Sequence, residues 1–370
     1  MRRTGALLVL LFFLPREKCM LKKLFVLVIA LTLVSVSFAR AADKKAYLGV
    51  AIHSTDNEYW NQQAEGGKLF AKSLPAGALD VQVLTCDGDD EKQLNGIKAF
   101  IASHGKDAII YVDPANAPNT AALAEICEDA QVYWTSVWHL AEGLNPMDFK
   151  YYVMHQSVDG EKQGYDIAVE MFKQFKTPGK GKILALQGML GNDSAVERYA
   201  GLQKALKEYP DVEMLDMQVC DWNPQRALNT TETWLAKYPE VDGIWSANDG
   251  MALGAIQALK AKGQNGKIKV VGVDGVSGAL EAIDAGDMIC TVANNGYLQG
   301  GYGAAYVYAA WSGKIDTEKL PARQRAFYTE GYLVDKNTIE EYRDNFVRSI
   351  PKYDFNNLEF PIVRPFTIKE

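Results

Sequence analysis

Hydrophobic positions in this chain fall into short runs separated by longer amphipathic stretches. Strand-like runs occupy Ala46–Ile52, Val81–Leu84, Ala108–Val112, Val132–Thr135 and Lys150–Met154. Between them, Trp60–Ser73, Glu91–Ser103 and Asn119–Asp129 carry apolar residues at helical spacing. The second of these opens with Asp90 and places Gln93 three residues on, a capping-box spacing. The alternation restarts at Lys182–Gln187 and continues through Glu213–Val219, Gly243–Trp245, Lys267–Val273 and Met288–Val292. Helical patterns at Ala195–Glu208 and Met251–Lys262 fall between. Strands alternating with helices predict parallel sheets covered on both faces. Two series of five predict an α/β fold of two doubly wound parallel-sheet lobes, each in the order 2-1-3-4-5.

A helix over Tyr297–Trp311, a strand-like stretch over Ala326–Val334 and a proline-containing tail follow. The tail is expected to wrap one lobe. Gly301-Tyr302-Gly303 inside the helical pattern lacks the third glycine of a dinucleotide fingerprint and reads as close helix packing.

The first residues read differently. Lys22 and Lys23 precede an apolar run, Leu24–Val34, and Ala39-Arg40-Ala41 fits the small-residue cleavage rule. Residues 1–41 are therefore expected to be a secretory signal peptide, with Met20 as the initiator. Residues 1–19 are either an over-extended gene start or a genuine upstream segment. Without residues 1–41, which hold seven basic groups and one acid, the formal charge of −7 becomes −13. Such acidity argues against nucleic acid and anionic lipid as partners. No later run approaches ~18 apolar residues, so direct membrane insertion is not expected. The expectation is a monomer in the periplasm.

Cys86, Cys127, Cys220 and Cys290 remain after the leader. No pair has the C-x-x-C spacing of a metal or redox site, and the expected state is four buried free thiols. In a 2-1-3-4-5 sheet Cys220 and Cys290 sit near opposite edges, outside the ~7 Å reach of a disulfide. There is no Walker loop, HExxH or GxSxG, so neither a cofactor, a metal nor enzymatic turnover is expected.

Doubly wound sheets bind ligands at the carboxyl ends of their strands. Those positions hold His53, Asn57, Tyr59 and Trp60 after the first strand, Asp113 after the third, and Ser136-Val137-Trp138-His139 after the fourth. In the second series they hold Asn192 and Asp193, then Trp222, Asn248, Asp274 and Asn294. Each has a plainer alternative. Trp60 and Trp222 suit a core; Asp274 suits a helix cap and Asn248 a turn. His53 and Asp113 stand open between site and interior. Asp87-Gly88-Asp89-Asp90 lacks the remaining spacing of a calcium loop and reads as a capped turn.

Four segments go further: SANDGMALGAIQALK at 246–260, VVGVDG at 270–275, LQGMLGNDSAVERYAGLQKAL at 186–206 and CTVANN at 290–295. Their order and spacing resemble the ribose/galactose-type periplasmic sugar-binding proteins of ABC importers, over roughly residues 46–335. The resemblance implies two lobes joined by three hinge strands, 43–155 plus 295–329 and 156–294 plus 330–370. It implies Asn57 in the first loop, with Trp60 and Trp222 facing a sugar from opposite lobes. Asn248, Asp274 and Asn294 fall where hydroxyls are hydrogen-bonded. The chain also departs from the pattern. Ser136-Val137 stands where an Asp-Arg pair is usual, and Val196 where an Arg is usual; Arg198 nearby is assigned a structural role. Trp138, His53, Asn192 and Asp193 are candidates to replace those contacts. Fewer charges and more aromatic area point to a small neutral monosaccharide or polyol, delivered to ABC importer permease subunits. A signal or chemotaxis receptor, with a chemoreceptor as partner, shares the fold and is the alternative.

Overall fold

The computed structural model describes residues 45–348, 358 and 364–366. The expected signal peptide, Met20 and Cys19 lie outside the described residues, as does most of the tail. Among the described residues no helix is long and apolar enough to cross a membrane.

The first series folds as β1 (Ala46–Ile52), α1 (Glu58–Ser73), β2 (Leu79–Thr85), α2 (Asp90–His104), β3 (Ala108–Val112), α3 (Ala117–Ala130), β4 (Trp134–Val137) and β5 (Tyr152–Val158). The second folds as α4 (Gly160–Lys173), β6 (Gly181–Gln187), α5 (Asp193–Glu208), β7 (Val212–Val219), α6 (Pro224–Lys237), β8 (Gly243–Ser246), α7 (Asp249–Ala261), β9 (Lys269–Asp274), α8 (Ser277–Asp284) and β10 (Cys290–Ala293). After α9 (Gly296–Trp311) come the short α10 (Ala322–Arg325), β11 (Ala326–Thr329), β12 (Tyr332–Asp335), a helix at Ile339–Phe346 and β13 (Arg364–Pro365).

The strands make two sheets. One runs β2-β1-β3-β4-β5-β11-β13 and the other β7-β6-β8-β9-β10-β12. Each begins with the predicted 2-1-3-4-5 order, all parallel. Central strands such as β3 are buried at every residue, which is why they read as continuous apolar runs. The edge strands β2 and β7 expose part of each face and carry weaker patterns.

Successive elements change sheets near 158–160, 293–296 and 329–332. At the third crossing the single strand expected over Ala326–Val334 is corrected: β11 joins the first sheet and β12 the second. Gly331 sits between them, where a Cβ would press on Val292, Gln163 and Val158. α9 returns to pack along α1. A side chain at Gly300 would collide with the Gln63 carbonyl, so this glycine-rich helix is shaped for close packing.

The expected placement of 330–370 in the second lobe is corrected at its far end. β13 pairs antiparallel with Phe327 and Tyr328 of the first sheet. Phe366 stacks on Tyr328 and meets His155 edge-on, each at 4.7 Å between ring centres, so apolar contact covers that sheet edge. The capping box is corrected too. Asp89, not Asp90, caps α2 by accepting from the Lys92 N–H. Gln93 is buried, donates to the Asp113 carbonyl and accepts from the Ala115 N–H, bracing the loop after β3. Cys86, Cys127, Cys220 and Cys290 are buried and unbridged.

Candidate functional site

The loops after the strands of both lobes enclose a cleft of about 370 Å³ not filled by protein atoms, part of it open to solvent. The size suits a small ligand. From the first lobe come His53, Asn57, Tyr59, Trp60, Asp113, Trp138 and His139. From the second come Asn192, Ser194, Arg198, Trp222, Asn248 and Asp274. Three of these residues turn the chain through left-handed backbone at a strand end: Trp138 (φ 67°), Trp222 (φ 61°) and Asp274 (φ 135°). Such conformations cost about 1–3 kcal/mol each in non-glycine residues and cluster at binding sites.

The first wall is built from neutral groups with spare bonding capacity. The His53 ring stacks on Trp60, 4.7 Å between centres and 5° from parallel. Its Nε2 lies 3.1 Å from the Pro114 carbonyl, which only accepts, so Nε2 carries the proton. Nδ1 is then a bare acceptor, buried and without a protein partner. Burial lowers the His53 pKa to about 4, so the ring is uncharged. Asp113 accepts from Gln63 at 3.4 Å through Oδ2, while Oδ1 has no hydrogen-bond partner. Burial raises the Asp113 pKa to about 8. The Tyr59 hydroxyl is already committed: it donates to Gln299 and accepts from the Trp138 indole at 3.0 Å. Asn57 caps α1, its side chain accepting from the Tyr59 N–H at 2.8 Å. Ser136, in place of an acidic residue, turns away from the cleft to bond Tyr152 and His155.

His53, Asp113 and His139 bring metal-ligand atom types within 4.8 Å of one another. Their protonation argues against a cation. Nε2 of His53 donates to Pro114, and Nδ1 of His139 accepts from the Asp193 N–H at 3.2 Å, which places that ring's proton on Nε2. A metal needs bare nitrogen lone pairs directed at one point.

The second wall is built around Arg198, and here the sequence reading is corrected. α5 packs against α4 where Gly164 has no side chain; a Cβ there would strike the Arg198 carbonyl. The guanidinium donates to Gln163 Oε1 (3.1 Å) and the Ala247 carbonyl (2.8 Å), and lies 3.6 Å from Asp274. It sits 5.2 Å from the Trp138 ring centre and 5.8 Å from that of Trp222. Arg198 is thus a cleft residue held between indoles of opposite lobes, not a remote structural group. Val196 is 51% exposed, because two residues turn an α-helix through about 200°.

Asp274 is not a helix cap: Val276 precedes α8 and makes no side-chain cap bond. Burial pushes the Asp274 carboxyl up, and Arg198 opposes that shift. Asn248 both caps α7, accepting from Met251 N–H at 2.9 Å, and lines the cleft. The Trp222 indole donates to Asn192 Oδ1 at 2.7 Å, and Asn192 Nδ2 donates to the Ala115 carbonyl of the first lobe at 2.8 Å.

Two expected site residues do not line the cleft. Asn294 accepts from Gln163 at 2.6 Å and supports Asp274 from behind. Asp193 reaches across to the first lobe, accepting from the Leu140 N–H at 3.1 Å. A further cross-lobe contact joins Glu58 to the Ser277 N–H and hydroxyl, the latter at 2.6 Å. His139, Ser194 and Arg198 line the cleft although sequence reasoning did not select them. His139 was visible in the loop after the fourth strand, and Arg198 needed only the correct helical face.

A family model described as periplasmic binding protein domain matches residues 48–315. A xylitol-binding protein of Mycolicibacterium smegmatis is 28% identical over 72% of this chain and 72% of its own length. A solved twin-arginine translocation pathway signal protein from Burkholderia phytofirmans is 34% identical, with a TM-score of 0.83 over 87% of this chain and 99% of that one. An ABC transporter periplasmic solute-binding protein from Actinobacillus succinogenes, solved with D-allose bound, is 26% identical, with a TM-score of 0.69 over 80% and 100% of the two chains.

Proposed function

This chain belongs to the periplasmic binding protein family, and on that premise we propose that it is the substrate-binding component of an ABC importer for a small neutral monosaccharide or polyol. It is exported to the periplasm by its N-terminal segment, holds the ligand between its lobes and presents it to the permease subunits. One observation carries the choice of ligand: among the described residues lining the cleft the one cation, Arg198, is already matched by Asp274, while the first wall offers uncharged donors and acceptors. A sugar or polyol has the complementary form, an apolar C–H face for indole rings and a rim of hydroxyls for polar side chains. Burying an anionic ligand here would require a further cation. Relatives support the class through what they bind, xylitol in one and D-allose in another.

A thermal-shift panel of pentoses, hexoses, polyols and inositols, set beside uronates and sugar phosphates, tests the reading. A neutral ligand at 100 times its Kd stabilises by about 2.7 kcal/mol. Binding confined to the uronates or phosphates would overturn the claim about charge.

A further inference from the structure

His139 occupies a place that the ligand reading alone does not explain. Its ring is buried, and its main chain is held by the Val137 carbonyl and by Thr120, whose hydroxyl donates to the His139 carbonyl at 2.8 Å. Its Nδ1 accepts from the backbone N–H of Asp193, the first residue of α5 in the opposite lobe. The Asp193 carboxylate in turn accepts from the neighbouring Leu140 N–H. These two reciprocal bonds form a clasp between 139–140 and 193, and it exists only when the lobes are together. On its far side the ring presents Nε2 to Asp113 Oδ1 at 3.8 Å, beyond direct hydrogen-bond reach.

We propose that closure sets the tautomer of His139: the Asp193 N–H fills Nδ1, leaves the ring proton on Nε2, and so fixes an N–H donor beside the unpartnered Asp113 Oδ1, two groups placed for one ligand hydroxyl. A neutral imidazole carries one N–H and one lone pair, so fixing one nitrogen fixes the other. Burial, with His53, His155 and Arg198 nearby, keeps the ring neutral. A hydroxyl accepts from Nε2–H and also bonds Oδ1, donating to it when Asp113 is ionised and accepting from it when Asp113 is protonated; a ring hydrogen at that point would leave both groups unpaired. Asp193 is then a positioning residue that acts through His139. The open protein lacks the clasp and presents no fixed pattern. This inference rests on the sugar or polyol reading of the cleft for its ligand, but not for its tautomer.

The test uses two substitutions at one position. Asp193 is the first helical residue, where proline is tolerated, and Asn192 before it is extended (φ −98°, ψ 127°), as a residue before proline prefers. Asp193→Pro removes the N–H; Asp193→Ala keeps it and removes only the carboxylate. The chain has four histidines, so long-range ¹H–¹⁵N spectra of histidine-labelled protein resolve each ring. To close the lobes without ligand, Glu58→Cys and Ser277→Cys are bridged by a short thiol cross-linker; the four cysteines among the described residues are buried. In the bridged protein and its Asp193→Ala form, His139 should show a protonated Nε2 and a bare Nδ1. The Asp193→Pro form should lose that preference. It should also bind the best of xylitol, myo-inositol and D-allose up to roughly tenfold more weakly than Asp193→Ala does, the scale of one neutral hydrogen bond. A proton on Nδ1 in the bridged protein, or an unchanged spectrum in a folded Asp193→Pro form, overturns the inference whatever the protein binds. The expected tautomer with none of the three probes bound overturns the ligand half of the inference and leaves the clasp standing. A fourth neutral sugar or polyol found by the wider panel would then separate that failure from a failure of the ligand class.

Discussion

The two walls of the cleft use the same residue types in opposite ways. On the first, His53 Nδ1 and Asp113 Oδ1 are buried without protein partners, and the rings are neutral. On the second, Arg198 is hydrogen-bonded to Gln163 and Ala247 and ion-paired with Asp274 before any ligand arrives. Asp249 behind it accepts through Oδ2 from the Gly275 and Val276 N–H groups and from Thr291, while its Oδ1, away from the cleft lining, has no partner. Burial, reinforced by neighbouring Asp274, still pushes the Asp249 carboxyl up. A wall whose cleft-lining polar groups are satisfied internally is rigid and contributes shape and aromatic area. A wall with open donors and acceptors gains most from a ligand, because unpaired buried groups are costly. On the proposed function, the first lobe is expected to read the hydroxyls and the second to close over them.

The largest break in this contrast comes at Arg198. Arg198→Met should cost about 3–5 kcal/mol of unfolding free energy in chemical denaturation, because it leaves Asp274 buried without its cation. The indole faces come next. Trp60→Ala and Trp222→Ala should each weaken sugar or polyol binding by about 1–3 kcal/mol in calorimetry. Unchanged affinity in both would remove the aromatic contribution from the account.

The neutral first wall has a pH signature. Asp113 is raised to about 8 by burial, so its native form holds a proton that the unfolded chain has lost. Stability from this group is complete at low pH and fades as pH rises toward 8, by about 1.4 kcal/mol per unit. His53 and His155, lowered by burial to about 4 and about 3, act in the opposite sense: their contribution is lost as pH falls below the ordinary histidine range. Asp113→Asn should therefore lessen the loss of stability of the unliganded protein between about pH 6.5 and 8. A denaturation series across pH measures both limbs. The smallest effect belongs to the exposed Glu58–Ser277 contact. Glu58→Gln should weaken binding by less than about 1 kcal/mol and leave the ranking of ligands unchanged.

How far the sequence alone reached follows the same physics. β3 is buried along its whole length and reads directly as an apolar run; β5 is equally buried, but His155, Gln156 and Ser157 interrupt its apolar pattern, so the run expected at Lys150–Met154 found only its start. The rule that ligands sit beyond strand ends led to His53, Trp138, Trp222 and Asp274, each within a few residues of such an end, and to Trp60 on the helix that follows the first loop. It failed where the face of a helix mattered. Val196 and Arg198 share a segment, yet one faces solvent and the other the cleft. It could not foresee that Asp193 would spend its bonds on the other lobe, since that contact depends on how the lobes meet. β13 is two residues long, and no periodicity marks so short an element.

The account depends most on one claim, that a ligand held by both walls favours the closed arrangement. Small-angle X-ray scattering on the full chain measures it, with and without a saturating concentration of the tightest neutral sugar or polyol. The account predicts a smaller radius of gyration with ligand present. An unchanged radius at demonstrated saturation would contradict it.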